Sequence, residues 1–106
     1  MPKYLLEIDY TLDGVKGVVA KGGSARKAVA QAAAKSVGGK LDGFYFAFGD
    51  TDVYVIADLP DNTAAAALAL TVAAAGGSGV KTTPLLTTDE IDAAVKQDVK
   101  FRPPGK

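Results

Sequence analysis

The chain has 106 residues, 12 basic and 12 acidic side chains, and no cysteine, histidine or tryptophan. Balanced charge offers no concentrated positive field, so neither nucleic acid nor an anionic membrane is expected as a partner. Without cysteine or histidine there is no disulfide framework, thiolate nucleophile, Ser-His-Asp triad or imidazole-bound metal, and no cofactor is called for.

The length fits one domain. It is expected over residues 1–99, with 100–106 as an extended tail. The first residues, Met1-Pro-Lys-Tyr-Leu-Leu-Glu7, lack the apolar core of a leader, and the alanine-rich run Ala64 to Ala75 is far short of the roughly 20 residues that span a bilayer. A cytoplasmic protein is the expectation.

Lys3 to Thr11 reads as a strand, with Tyr4, Leu6, Ile8 and Tyr10 on one face and Leu5, Glu7 and Asp9 on the other. Leu12 to Lys21 has the apolar spacing of a short helix, weakened by Gly14 and Gly17. Gly22-Gly23 breaks the chain, and Ser24 is the expected N-cap of the next helix. Ala25, Ala28, Val29, Ala32, Ala33 and Val37 trace its predicted buried stripe, and Gly38-Gly39 ends it.

Gly39 to Asp58 is a predicted hairpin holding five of the eight Phe and Tyr residues. A two-residue turn at Asp50-Thr51 would set Phe46 by Val55 and Phe44 by Ala57. A four-residue loop would keep the same faces together, because side chains alternate with period two. Asp61 or Asn62 can cap the following helix, whose predicted stripe is Ala65, Leu68, Val72 and Ala75. Val80 to Thr87 reads as a fourth strand with Pro84 at an edge or bulge. Thr87-Thr88-Asp89-Glu90 fits a capping box, and the closing helix is expected to bury Ile91, Ala94 and Val95.

This order, βαββαβ plus a C-terminal helix, predicts an α+β, ferredoxin-like fold: a four-stranded antiparallel sheet with helices on one face. The open face would carry Leu5, Tyr45, Tyr54, Ile56 and Leu85, an apolar surface that calls for a cover. A second copy of the same sheet is the simplest one, giving a homodimeric α/β barrel.

The segments Tyr4 to Thr11, Gly22 to Arg26, Val37 to Leu41, Phe44 to Val55 and Lys81 to Leu85 together resemble the GYD-domain family, small prokaryotic proteins of the dimeric α/β-barrel type. The family's Gly-x-Tyr-Asp element falls on Gly49-Asp50-Thr51-Asp52, with Thr51 in place of the tyrosine. The resemblance implies the fold and the dimer, and assigns no activity.

The candidate ligand-binding residues are Glu7, Asp9, Arg26, Tyr45, Tyr54 and Lys81. Glu7, Asp9 and Lys81 would be polar anchors, Tyr45 and Tyr54 wall residues, and Arg26 would reach the mouth of a cavity holding a small, partly apolar organic molecule. Carboxylates beside a lysine and a tyrosine can also move a proton once burial raises their pKa. Against this, Glu7 and Lys81 can simply form a cross-strand ion pair. Gly22 to Lys27 offers free amides and two cations to an anion, or an ordinary helix start. The acids Glu7, Asp9, Asp52 and Asp58 lack the loop spacing of a metal cage, so no metal site is expected. The hairpin aromatics resemble a base-stacking platform, but alternation sends the three Phe to the helix side, where core packing is the expectation. The alternative to a ligand-binding protein is a non-catalytic assembly or regulatory module with its cavity filled.

Overall fold

Alternation along the first strand organises the molecule. In a computed structural model describing residues 1–105, the elements in chain order are β1 (Lys3–Tyr10), α1 (Leu12–Lys21), α2 (Gly23–Ser36), β2 (Lys40–Phe46), β3 (Val53–Asp58), α3 (Asn62–Ala74), β4 (Ser78–Leu85) and α4 (Thr88–Val95). The strands form one antiparallel sheet in the order β2-β3-β1-β4. The fold is α+β, with four helices among the described residues.

On one face, Tyr4 and Leu6 of β1 meet Val53, Val55 and Ala57 of β3, and Ala34 of α2 and Ala65 of α3 close over them. Leu59, fully buried just after β3, completes this core. The Tyr4 ring is inside, and its hydroxyl donates to Asn62 Oδ1 at 2.6 Å, which removes the penalty of a buried phenol. Asp61 supplies the α3 cap, accepting from the Ala64 amide at 2.8 Å.

The hairpin register differs from a two-residue turn. The Ala47 amide donates to the Asp52 carbonyl, so the loop is Phe48 to Thr51. Phe46 then pairs with Val53 and Phe44 with Val55, a shift of two residues that leaves every side chain on its expected face. A bulge at Asp42 interrupts β2.

Thr11 makes the glycine-weakened Leu12–Lys21 segment a helix. Its hydroxyl accepts from the Gly14 amide at 3.3 Å and donates to the Gly76 and Gly77 carbonyls. Gly14 is required there, because a Cβ would collide with the Gly77 carbonyl oxygen. Gly22, at φ 83°, closes α1 and opens α2 directly, so α2 starts one residue before Ser24 and has no side-chain cap. Gly38, at φ 84°, ends it.

Besides the Ser24 cap, two further expectations for the helices fail. The α2 stripe is rotated: Ala34 is its buried residue, while Ala28, Val29 and Ala32 are exposed. Alanine carries too little apolar surface to fix a helix's rotation from sequence. In the closing helix, Thr87 and Glu90 form the capping box, but no residue of α4 is buried, and Ile91 and Val95 are exposed. Local capping sets where α4 starts; it does not bring α4 onto the sheet. The molecule is therefore elongated, 58 × 33 × 23 Å with a radius of gyration of 17.0 Å, against about 13 Å for a compact chain of this length. Past α4 the chain has no regular structure until a turn at Pro104-Gly105. The expected extended tail ends in Lys106, outside the described residues.

Candidate functional site

The register gathers four of the six candidate residues into a single line across the sheet. Tyr45 opposes Tyr54, Tyr54 opposes Glu7, and Glu7 opposes Lys81. All four point to the face away from the core helices, as does Asp9, one step along β1. Leu5, Ile56 and Leu85 share that face and are half-buried, while Tyr45 is 69% exposed. Glu7 and Lys81, although directly opposite, form no ion pair. The ion pair on this face lies at its other end: Lys3 Nζ reaches Asp58 Oδ1 at 2.9 Å and Asp42 Oδ2 at 3.0 Å. The hydrogen bond to Lys3 holds the Asp58 carboxyl below the usual carboxylate range, and the bond to Asp58, with that to Asp42, raises the Lys3 ammonium above the usual lysine value. Sequence alone did not reveal this triad, because Asp42 joins it only through the β2 bulge.

Arg26 is separated from the other five. It stands in the first turn of α2, on the helix side of the sheet, and lines a cleft of about 630 Å³ between α1, α2 and α3. The start of β4 and the glycines Gly76 and Gly77 form one end of this cleft. Its walls include Val29, Ala33 and Val72, and its polar lining includes Tyr10, Lys21 and Ser78. The cleft has a sequence origin: alanine and glycine on the facing helix surfaces are too short to fill the space between α2 and α3. Ser78 and Lys21 are site residues that sequence reasoning missed. Ser78 sits at the strand end after the Gly76-Gly77 break, a place where small polar residues are common, so nothing marked it.

A second, smaller cleft of about 390 Å³ lies under α1, between Val15, Val18 and Val19 on one side and Phe46 and Phe48 of the hairpin on the other. Tyr10 lies between the two clefts and borders both. Its backbone amide donates to Asp52 Oδ2 at 2.8 Å, and the Asp52 amide donates to the Ile8 carbonyl. The aspartate of the Gly49-Asp50-Thr51-Asp52 element thus secures the end of β1 and with it the Tyr10 backbone. Phe46 and Phe44 are edge-to-face, their centroids 5.5 Å apart, and Phe44 packs on the core. Phe46 and Phe48 instead stay 43% and fully exposed, so of the three Phe expected in the core only Phe44 packs against it, half-buried. Strand alternation assigns a face, but the ends of the hairpin outrun the helices that would cover them.

Among the described residues no three acidic, histidine or cysteine side chains come together as a metal-binding group, and no helix is long and apolar enough to cross a membrane.

The fold and its clefts define a small α+β protein built on a single four-stranded antiparallel sheet. The chain matches the GYD domain family over residues 4–95, and it belongs to that family. Comparison with curated proteins and with solved structures returns no match.

Proposed function

We propose that the chain acts as a cytoplasmic homodimer that holds a small, partly apolar organic molecule between its sheet and its helices. The observation that carries this reading is the cleft of about 630 Å³ with apolar walls and a few polar groups, a size within the roughly 300–1,000 Å³ of sites that enclose small organic ligands. The strand order β2-β3-β1-β4 supports reading the sheet as ferredoxin-like. Two such sheets packed through their open faces would make a dimeric α/β barrel, burying Leu5, Ile56, Leu85 and the tyrosines. In that dimer Glu7, Asp9, Tyr45, Tyr54 and Lys81 serve the contact between copies, and Arg26 alone of the six stays with the ligand. The exposed Ile91 and Val95 of α4 support association as well, since an eight-residue helix is marginal in water without a packing partner.

A thermal-shift screen of organic acids, quinones and phosphates tests the ligand. At least one compound should raise the melting temperature; if none does, ligand binding is abandoned. Light scattering tests the dimer: a mass of 10.8 kDa at micromolar concentration defeats it.

The second reading, a non-catalytic assembly module, is favoured by the unpacked α4. It predicts self-association that the α4 change Ile91→Glu abolishes, together with no ligand response.

A further inference from the structure

We infer that the ligand of the helix-side cleft is an organic anion, an apolar body carrying one carboxylate, with Arg26 as the residue that reads the charge. This deepens the proposed function and rests on its ligand-binding reading.

Arg26 is half-buried, lines the cleft, and has no ion pair or hydrogen bond among the described residues. A guanidinium has five donors in a planar fork and cannot shed its charge. Holding it half out of water without a partner is unfavourable, and a carboxylate entering the cleft would remove that penalty with a two-pronged contact. Lys21, the last residue of α1, lines the same cleft and is likewise unpaired. The positive charge is therefore supplied from both sides of the Gly22 break.

A second observation, independent of the cations, points the same way. Ser78 is only 9% exposed, lines this cleft, and its hydroxyl has no hydrogen-bond partner among the described residues. The Ser78 oxygen keeps access to solvent, unlike the Thr82 hydroxyl, so it can offer its proton to a group entering the cleft. The Tyr10 phenol, half-buried and also unpaired, borders the same space. The polar lining of the cleft thus combines two cations with hydroxyls that can donate, set against Val29, Ala33 and Val72. Such a lining fits a negatively charged group on an apolar body.

One group opposes the assignment. Asp13 also lines the cleft, without pairing to Arg26 or Lys21. Its carboxylate repels an incoming anion, which limits affinity.

The test uses the full chain and two matched probes, 2-naphthoate and the neutral 2-naphthalenemethanol, with inorganic phosphate as a third, titrated by calorimetry. Naphthoate should bind about tenfold to a hundredfold more tightly than the alcohol, the range expected of charge-assisted hydrogen bonds. R26Q should erase that preference while leaving the unliganded melting temperature unchanged. R26K, which keeps the charge and loses the fork, should retain part of it, and D13N should tighten naphthoate alone. Equal binding of naphthoate and the alcohol, or an R26Q variant that keeps the preference, overturns the anion assignment and leaves an apolar ligand site standing. Phosphate binding as tightly as naphthoate overturns the apolar body. Failure of both naphthalene probes to bind overturns the ligand-binding reading itself.

Discussion

The two faces of the sheet are built from the same strands, one residue out of phase, and they have opposite fates. The face bearing Tyr4, Leu6, Val53, Val55 and Ala57 is sealed by α2 and α3. The face bearing Leu5, Glu7, Tyr54 and Ile56 has no helix over it and retains a line of polar side chains from Tyr45 to Lys81. Period-two alternation makes both faces equally available to a cover. Which is covered depends on the connections: α2 and α3 both return to the same side. The comparison also explains why the ligand cleft lies on the covered side. Helices rich in alanine and glycine seal the middle of the sheet but leave a gap where their side chains are too short to meet.

The largest effect should separate the faces most sharply. Leu59→Ala, at a fully buried position, should destabilise the chain by about 2–5 kcal/mol, while Tyr54→Ser on the open face should cost an isolated subunit under about 1 kcal/mol. Chemical denaturation of both variants checks this, and equal losses would end the distinction between a core face and an association face.

Next in size is Gly14→Ala. Its added methyl would meet the Gly77 carbonyl, so α1 must move away from the end of the cleft, costing about 1–3 kcal/mol. Melting curves should register the loss, and an unchanged melting temperature would mean that α1 is not held where Thr11 places it.

Thr82→Val should act in the opposite direction. The Thr82 hydroxyl is buried on the core side without a partner, so an isosteric methyl should stabilise by about 1 kcal/mol. A drop in the denaturation midpoint would show that this hydroxyl has a partner in solution.

The smallest effect belongs to the Lys3, Asp42 and Asp58 group on the open face. Asp58 is held below its ordinary range, so its contribution is present above the unfolded carboxylate value and is lost as pH falls through the lowered one. Lys3 is raised, so its contribution is full below the unfolded lysine value and disappears as pH climbs through the raised one. Lys3→Met should flatten both arms of a stability profile recorded from roughly pH 2 to pH 12. A profile identical to that of the parent would show that this open-face pair is only solvated charge.

Much of the fold was legible because its signals are local. Gly38 marked the end of α2, Asp61 or Asn62 the start of α3, and Thr87 with Glu90 the start of α4. Alternation placed Tyr45 and Tyr54 opposite the Phe residues even though the turn was two residues longer than the shortest option. The candidate site was legible only in part. Alternation put Tyr45, Tyr54 and Glu7 on one surface, the register alone adds Lys81 to it, and Arg26 lies on the other side. The cleft it lines is a space between helices, and empty space between short side chains leaves no pattern in a sequence. Ser78 was invisible for the same reason: its meaning is its burial beside that space.

The sequence by itself determined the elements, the faces of the strands and the chemistry that is excluded, because capping, glycine conformation and strand alternation act within a few residues. Only the tertiary structure decided that α4 stands away from its own domain, that Lys3 pairs with two aspartates while Glu7 and Lys81 stay apart, and that Arg26 and Ser78 share a cleft. Those outcomes depend on distances between segments far apart in the chain, set by how much side-chain volume each helix brings to the sheet.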